Sequence, residues 1–147
     1  MGYKETYNRW LTSDVVDDDT KAELKSIENN EKEIEERFYR ELEFGTAGMR
    51  GIIGAGTNRI NIYNVRRASQ GVAKYVLSNG EDAAKAGVLI GNDTRNFSRT
   101  FAEETAKVLT CAGVKTYLFP IVHSVPEVSF GIRELGCSAG VMITASH

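Results

Sequence analysis

The chain is short of the residues that would tie it to a redox, membrane or nucleic-acid role. Its two cysteines, Cys111 and Cys137, fit neither a metal-ligand spacing nor a disulfide framework. They are expected to be buried thiols in a reducing compartment. No apolar run approaches the roughly 20 residues of a membrane span. The polar N-terminus holds no secretory apolar stretch, so a cytoplasmic location with no membrane partner is the expectation. Lysine and arginine do not cluster, which argues against nucleic acid. Internal repeats and low-complexity linkers are also missing.

What is present is an ordinary globular composition, 41% hydrophobic and 26% charged, in a chain long enough to bury one core. A net charge of −2 hides an asymmetry: residues 1–43 carry 13 acidic and seven basic side chains, and residues 44–147 carry seven and 11. The mildly positive portion is also the glycine-rich one, which suits a small phosphorylated ligand. We therefore divide the sequence into an acidic helical extension, 1–43, packed on a domain at 44–147.

In the extension, Tyr3, Tyr7, Trp10 and Leu11 recur at helical spacing, and Ser13, Asp14 and Asp17–Thr20 form a polar break with several possible N-caps. Leu24, Ile27, Ile34, Phe38 and Leu42 then line one face of a single amphipathic helix that packs across its own domain. Further on, Val65–Val76 marks a helix closed by Gly80, and Gly87–Gly91 a short buried strand. Ser98 is placed to cap a helix that stops at Gly113, and strand Val114–Phe119 follows. Ser124-Val125-Pro126-Glu127 reads as a capping box opening a helix that buries Val128, Ile132 and Leu135. Ala139–Thr144 is the last strand. Strands alternating with helices predict an α/β fold, three layers (α/β/α) around a mainly parallel sheet, preceded by the acidic helical segment.

Two stretches carry candidate chemistry. Residues 44–56 hold five glycines in thirteen positions, with Thr46 and Arg50 interspersed, the composition of an anion-binding loop. The last strand runs into Ala145-Ser146-His147, which places a serine at the carboxyl end of a parallel strand, where ligands of open α/β sheets gather. Ser146 lacks both glycines of a hydrolase elbow. His147 is an unsuitable base for it, since adjacent residues leaving a strand point to opposite faces. His123 has no marked acid to orient it. Gly54-Ala55-Gly56-Thr57-Asn58-Arg59 has arginine where a dinucleotide fingerprint needs its third glycine, and a Walker loop is absent. The remaining role is a serine that carries a phosphoryl group, with loop donors and Arg50 sharing its charge.

Phe44-Gly45-Thr46-Ala47-Gly48-Met49-Arg50-Gly51 and the closing Thr144-Ala145-Ser146-His147 resemble the two signature motifs of the α-D-phosphohexomutases. The similarity runs on through Gly54–Asn61, Asp93-Thr94-Arg95 and Pro126–Phe130, and is nearest to bacterial α-phosphoglucomutases with a Gly-Thr-Ala-Gly loop. The resemblance implies a phosphorylated Ser146 that interconverts hexose 1-phosphate and hexose 6-phosphate through a bisphosphorylated sugar. It implies Mg²⁺ on a phosphate oxygen of Ser146, with most ligands from a further domain, and glucose 1,6-bisphosphate as activator. Arg50 and Thr46 would sit near the phosphoserine, His147 would be a polar neighbour aiding proton transfer, and Asp93 with Arg95 would form a structural loop pair.

The sequence also departs from that pattern. The family's Asn-Pro and lysine after the histidine, its Asp-rich metal loop, its sugar-recognition loop and its phosphate clamp are not in this chain. Ser124-Val125-Pro126 stands where Pro-Thr-Pro is common. The expectation is the first of four domains, inactive alone, whose partners are a hexose phosphate and the rest of the polypeptide. A phosphopentomutase, a glucose-1,6-bisphosphate synthase and a non-catalytic α/β domain are the alternatives.

Overall fold

The apolar runs in the second half of the chain are too short for helices and are flanked by glycine, and they form the strands of a parallel sheet. The computed structural model describes residues 2–144, and the chain divides into two compact units, Met1–Asn64 and Val65–His147, each with its own core. The division falls within one helix, Ile62–Ser78.

The first unit opens with α1 (Tyr3–Thr12), α2 (Asp18–Ser26) and α3 (Glu31–Phe38). Tyr7, Leu24, Ile34, Phe38 and Ala55 make its core, with Trp10 and Tyr7 meeting Phe38 edge to face. The single long helix expected over this region is two helices. Asn30 breaks it, because its side chain accepts from the Glu33 N–H (3.2 Å) and starts α3 afresh. Asp17 does the same for α2, accepting from the Thr20 N–H at 2.8 Å. The Tyr63 hydroxyl, and after it the Thr20 N–H, hold the Asp17 carboxyl below the ordinary range. Leu42 is buried but extended, its N–H donating to the Thr57 carbonyl (2.9 Å).

A short antiparallel hairpin, β1 (Phe44–Gly45) and β2 (Gly48–Met49), follows. The helix at Ile62–Ser78 is α4, and the second unit continues with α5 (Glu81–Ala86), β3 (Val88–Asn92), α6 (Ser98–Cys111), β4 (Thr116–Leu118), α7 (Val125–Glu134) and β5 (Ala139–Ile143). β3 is central, parallel to β4 on one side and to β5 on the other. Val88 and Ile90 share a core with Ala73 and Val76 of α4 and Ala102 and Leu109 of α6. Leu89 and Gly91, on the opposite face of the pleat, meet α7, so helices cover both faces in three layers. That side is packed unusually close. A Cβ on Gly91 would stand 2.4 Å from Val128 Cγ2, and one on Gly140 2.2 Å from Ile132 Cδ1. Glycine at these strand positions lets α7 settle onto the sheet.

Four local expectations change. α5 was not foreseen; only Ala84 of its six residues is buried, too little to leave a period in the sequence. Ser98 does not cap α6: Phe97 does, in the left-handed region at φ 67°, and the Ser98 hydroxyl turns instead to Asp93. Leu135 is exposed at the end of α7, past the turn that faces the sheet. Cys111, expected to be buried, is exposed at the last position of α6, while Cys137 is half-buried, with burial pushing its thiol pKa up. The capping box at Ser124 forms as expected, the Ser124 N–H donating to Glu127 Oε2 at 2.6 Å.

Candidate functional site

The glycine-rich stretch is two structures. In its first part Thr46 and Ala47 form the exposed tip of the β1–β2 hairpin, where Gly48 takes φ 87°. Arg50 follows, also exposed, and among the described residues its guanidinium has no hydrogen bond or ion pair. Residues 44–50 thus present a hydroxyl and an uncommitted cation on a solvent-facing turn.

The second part, Gly54–Arg59, is committed to the helices of its own unit. Glu23 accepts from the Ala55 N–H (3.1 Å), and Arg37 donates to the Ala55 carbonyl (3.1 Å) and, through its backbone carbonyl, accepts from the Asn58 N–H (2.9 Å). Asn61 and Asn64 donate their amides to the carbonyls of Gly54, Gly56, Thr57 and Arg59. Gly56 sits at φ 132°, and a Cβ there would stand 2.7 Å from the Arg37 carbonyl oxygen. Three of the six backbone N–H groups here, those of Gly54, Ala55 and Asn58, already have partners, and the exposed hydroxyl and guanidinium of the glycine-rich stretch lie in residues 44–50.

Charge holds this knot. Arg59, 4% exposed, pairs with Glu36 and lies 3.6 Å from Glu33, while Arg37 pairs with Glu23 and with Glu33 at 2.8 Å. The hydrogen bond from Arg59 keeps the Glu36 carboxyl below its ordinary range. Burial works against the Arg37 charge, but its hydrogen bonds to Glu23 and Glu33 prevail and raise its pKa. Only the Glu33–Arg37 spacing of four residues marks any of this in the sequence.

In the second unit the site region is the carboxyl end of the sheet. Asn92 pairs with Ile143, the last rung of the β3–β5 ladder, and the Asp93 N–H donates to the Ile143 carbonyl at 3.0 Å. The Asp93 carboxylate then accepts from the Thr144 hydroxyl (2.9 Å), the Ser98 hydroxyl (2.6 Å) and the Arg95 N–H (3.0 Å). The expected Asp93–Arg95 side-chain pair is long, 3.8 Å. His123, in the loop before α7, stacks on Phe119 and faces Glu127 at 3.4 Å. The buried Asn92 Oδ1 has no partner among the described residues.

Of the sequence-derived site residues, Thr46 and Arg50 lie in the first unit and the strand leading to Ser146 in the second. Ser146 and His147 themselves lie outside the described residues. Among the described residues no group of three or more His, Cys, Asp or Glu side chains is placed to hold a metal ion. No described helix is long and apolar enough to cross a membrane.

Residues 41–147 match the model of the family described as phosphoglucomutase/phosphomannomutase, alpha/beta/alpha domain I. The chain belongs to the phosphoglucomutase/phosphomannomutase family. The three-layer architecture is that of the family's domain I. Similar curated members of the family include a probable phosphoribomutase of Schizosaccharomyces pombe, 42% identical over 98% of this chain and 25% of the relative. A phosphoglucomutase of Staphylococcus saprophyticus is 42% identical over 97% and 24%, and a phosphopentomutase of Pongo abelii 36% identical over 82% and 21%. The chain therefore spans about a quarter of the length of these phosphoglucomutase-family relatives. No solved structure matches it.

Proposed function

We propose that this chain is the first domain of a hexose-phosphate mutase and that Ser146 carries the transferred phosphoryl group. The observation that supports this best is positional. In a chain of this family, β5 ends at the carboxyl edge of a parallel sheet, with Thr144 fixed at its exit two residues before Ser146.

Phosphorylated Ser146 donates to the free hydroxyl of a hexose phosphate. The bond from phosphorus to the serine oxygen breaks as a bond from phosphorus to the sugar oxygen forms, and the sugar hydroxyl loses its proton, with His147 aiding that transfer. The resulting bisphosphate turns over and returns its other phosphate to Ser146. Such in-line transfers depend on positioning and on neutralising charge over the phosphoryl oxygens. Arg50 supplies a guanidinium with no competing carboxylate among the described residues, and Thr46 a hydroxyl at the tip of the same hairpin. Mg²⁺, in this reading, would be held by phosphorylated Ser146 together with residues of the remaining domains of the polypeptide, and would supply charge neutralisation to the transferring phosphoryl group. Glucose 1,6-bisphosphate serves as activator, and the protein works in the cytoplasm.

The first reading takes a glucose phosphate as the hexose, in line with relatives named phosphoglucomutase. A second reading, a pentose phosphate, is favoured by relatives named phosphoribomutase and phosphopentomutase at identities like those of the phosphoglucomutases. In the full-length polypeptide, Ser146→Ala should abolish turnover of glucose 1-phosphate and of ribose 1-phosphate alike. The wild-type ratio of the two rates identifies the sugar. Turnover that survives Ser146→Ala would overturn the assignment, and a wild type inactive on both would leave a non-catalytic domain.

A further inference from the structure

We infer that Asp93 is a positioning residue for the phosphoryl-carrying serine, acting through Thr144. The inference rests on Ser146 being that serine. The Asp93 backbone N–H holds the Ile143 carbonyl at 3.0 Å, and its carboxylate takes the Thr144 hydroxyl at 2.9 Å on Oδ2. The last two residues of the chain before Ala145-Ser146 are thus gripped by one residue, from the backbone and from the side chain.

Asp93 is itself fixed from the other side. Its Oδ1 accepts the Ser98 hydroxyl at 2.6 Å and the Arg95 N–H at 3.0 Å, anchoring it to the first residue of α6. Ser98 is 4% exposed, and Phe97 before it is held in the left-handed region at φ 67°, a conformation kept only where surrounding contacts determine it. The carboxylate bridges a rigid helix start to the exit of β5. Ladder pairing ends at Asn92–Ile143, so without that bridge nothing in the ladder sets the direction in which the chain leaves at residue 144. A misplacement of about 1 Å in a reacting group can cost about 10²-fold in rate, which makes exit direction a catalytic quantity.

The geometry separates this role from a purely structural one. Thr144 is exposed, so Thr144→Val removes the donor at nearly constant shape and little cost to folding. In the full-length polypeptide, Thr144→Val and Asp93→Ala should each lower kcat about 10-fold or more, with KM for the sugar phosphate within about twofold. Thr144→Ser, which restores the hydroxyl, should recover most of kcat. Asp93→Ala combined with Thr144→Val should be little slower than Asp93→Ala alone, because the Thr144 bond is already lost in that variant. A Thr144→Val enzyme with wild-type kcat would overturn the inference, as would Thr144→Ser no faster than Thr144→Val. If wild-type Ser146 accepts no phosphoryl group from a hexose bisphosphate, the reading beneath the inference fails, and the inference with it. The phosphorylation state of the wild type therefore tells the two failures apart.

Discussion

The two units use glycine and charge for opposite ends. In the first, Gly56 is forced by backbone: its φ is 132° and the Arg37 carbonyl stands where a Cβ would go. Around it, amides and guanidinium–carboxylate pairs bind a loop that has little apolar surface of its own. In the second unit, Gly91 and Gly140 are forced by side chains, Val128 and Ile132, across an apolar helix–sheet contact. A glycine held by backbone has no remedy short of glycine, whereas one held by a side chain can be compensated. Within the first unit the same stretch also divides: Arg59 is spent on structure, and Arg50, nine residues earlier, is not.

The largest expected effect follows from the backbone case. Gly56→Ala should destabilise the first unit by about 3 kcal/mol, seen as faster amide exchange in α1–α3, with no single side-chain change able to restore it. A full rescue by Arg37→Ala would show that the side chain, not the carbonyl, was the obstacle. Next come the two arginines. Arg59→Ala should cost about 2 kcal/mol by stripping the Glu36 and Glu33 pairing from a buried site. Arg50→Ala should leave exchange rates unchanged and lower kcat of the full-length polypeptide about 10²-fold. Should Arg50→Ala instead melt the unit while sparing turnover, the division of the glycine stretch would be wrong.

Smaller effects probe the side-chain case. Gly91→Ala should cost about 1–2 kcal/mol by overpacking α7, and Gly91→Ala with Val128→Ala should lose about 1 kcal/mol less than the two single losses combined. Strict additivity would place the strain elsewhere. The smallest effect is acid sensitivity. Glu36 has a folded pKa depressed by Arg59, so it contributes stability above the ordinary glutamate range that is lost as pH falls through the depressed value. Its side chain is half exposed, which makes the contribution modest and salt-dependent. Arg59→Met should flatten that acid limb in unfolding curves taken below pH 5, and an unchanged limb would remove Glu36 from the account.

What could be foreseen in the sequence tracks how local the cause is. Helices α1, α4, α6 and α7 and the three sheet strands left apolar periods bounded by glycine or a cap, and the three-layer fold followed from their alternation. The break at Asn30 was hidden because Leu24, Ile27, Ile34 and Phe38 keep helical spacing across it. The pairing at Gly54–Arg59 leaves no pattern in the sequence because its partners, Glu23, Glu36 and Arg37, lie 18 to 32 residues earlier. Asp93 was visible as part of a loop pair, but its bond to Thr144 spans 51 positions and no spacing encodes it. Thr46 and Arg50 could be proposed because residue type and exposure suffice for an anion contact, whereas their geometry toward Ser146 is not a local property.

On the proposed function, this chain supplies the phosphoryl-carrying serine of a sugar-phosphate mutase. The direct measurement is the intact mass of the full-length polypeptide before and after glucose 1,6-bisphosphate with Mg²⁺, followed by peptide fragmentation. The expected result is a gain of one phosphoryl group, on Ser146 and nowhere else. No gain in a folded, metal-supplied protein, or a phosphoryl group on another residue, would contradict it.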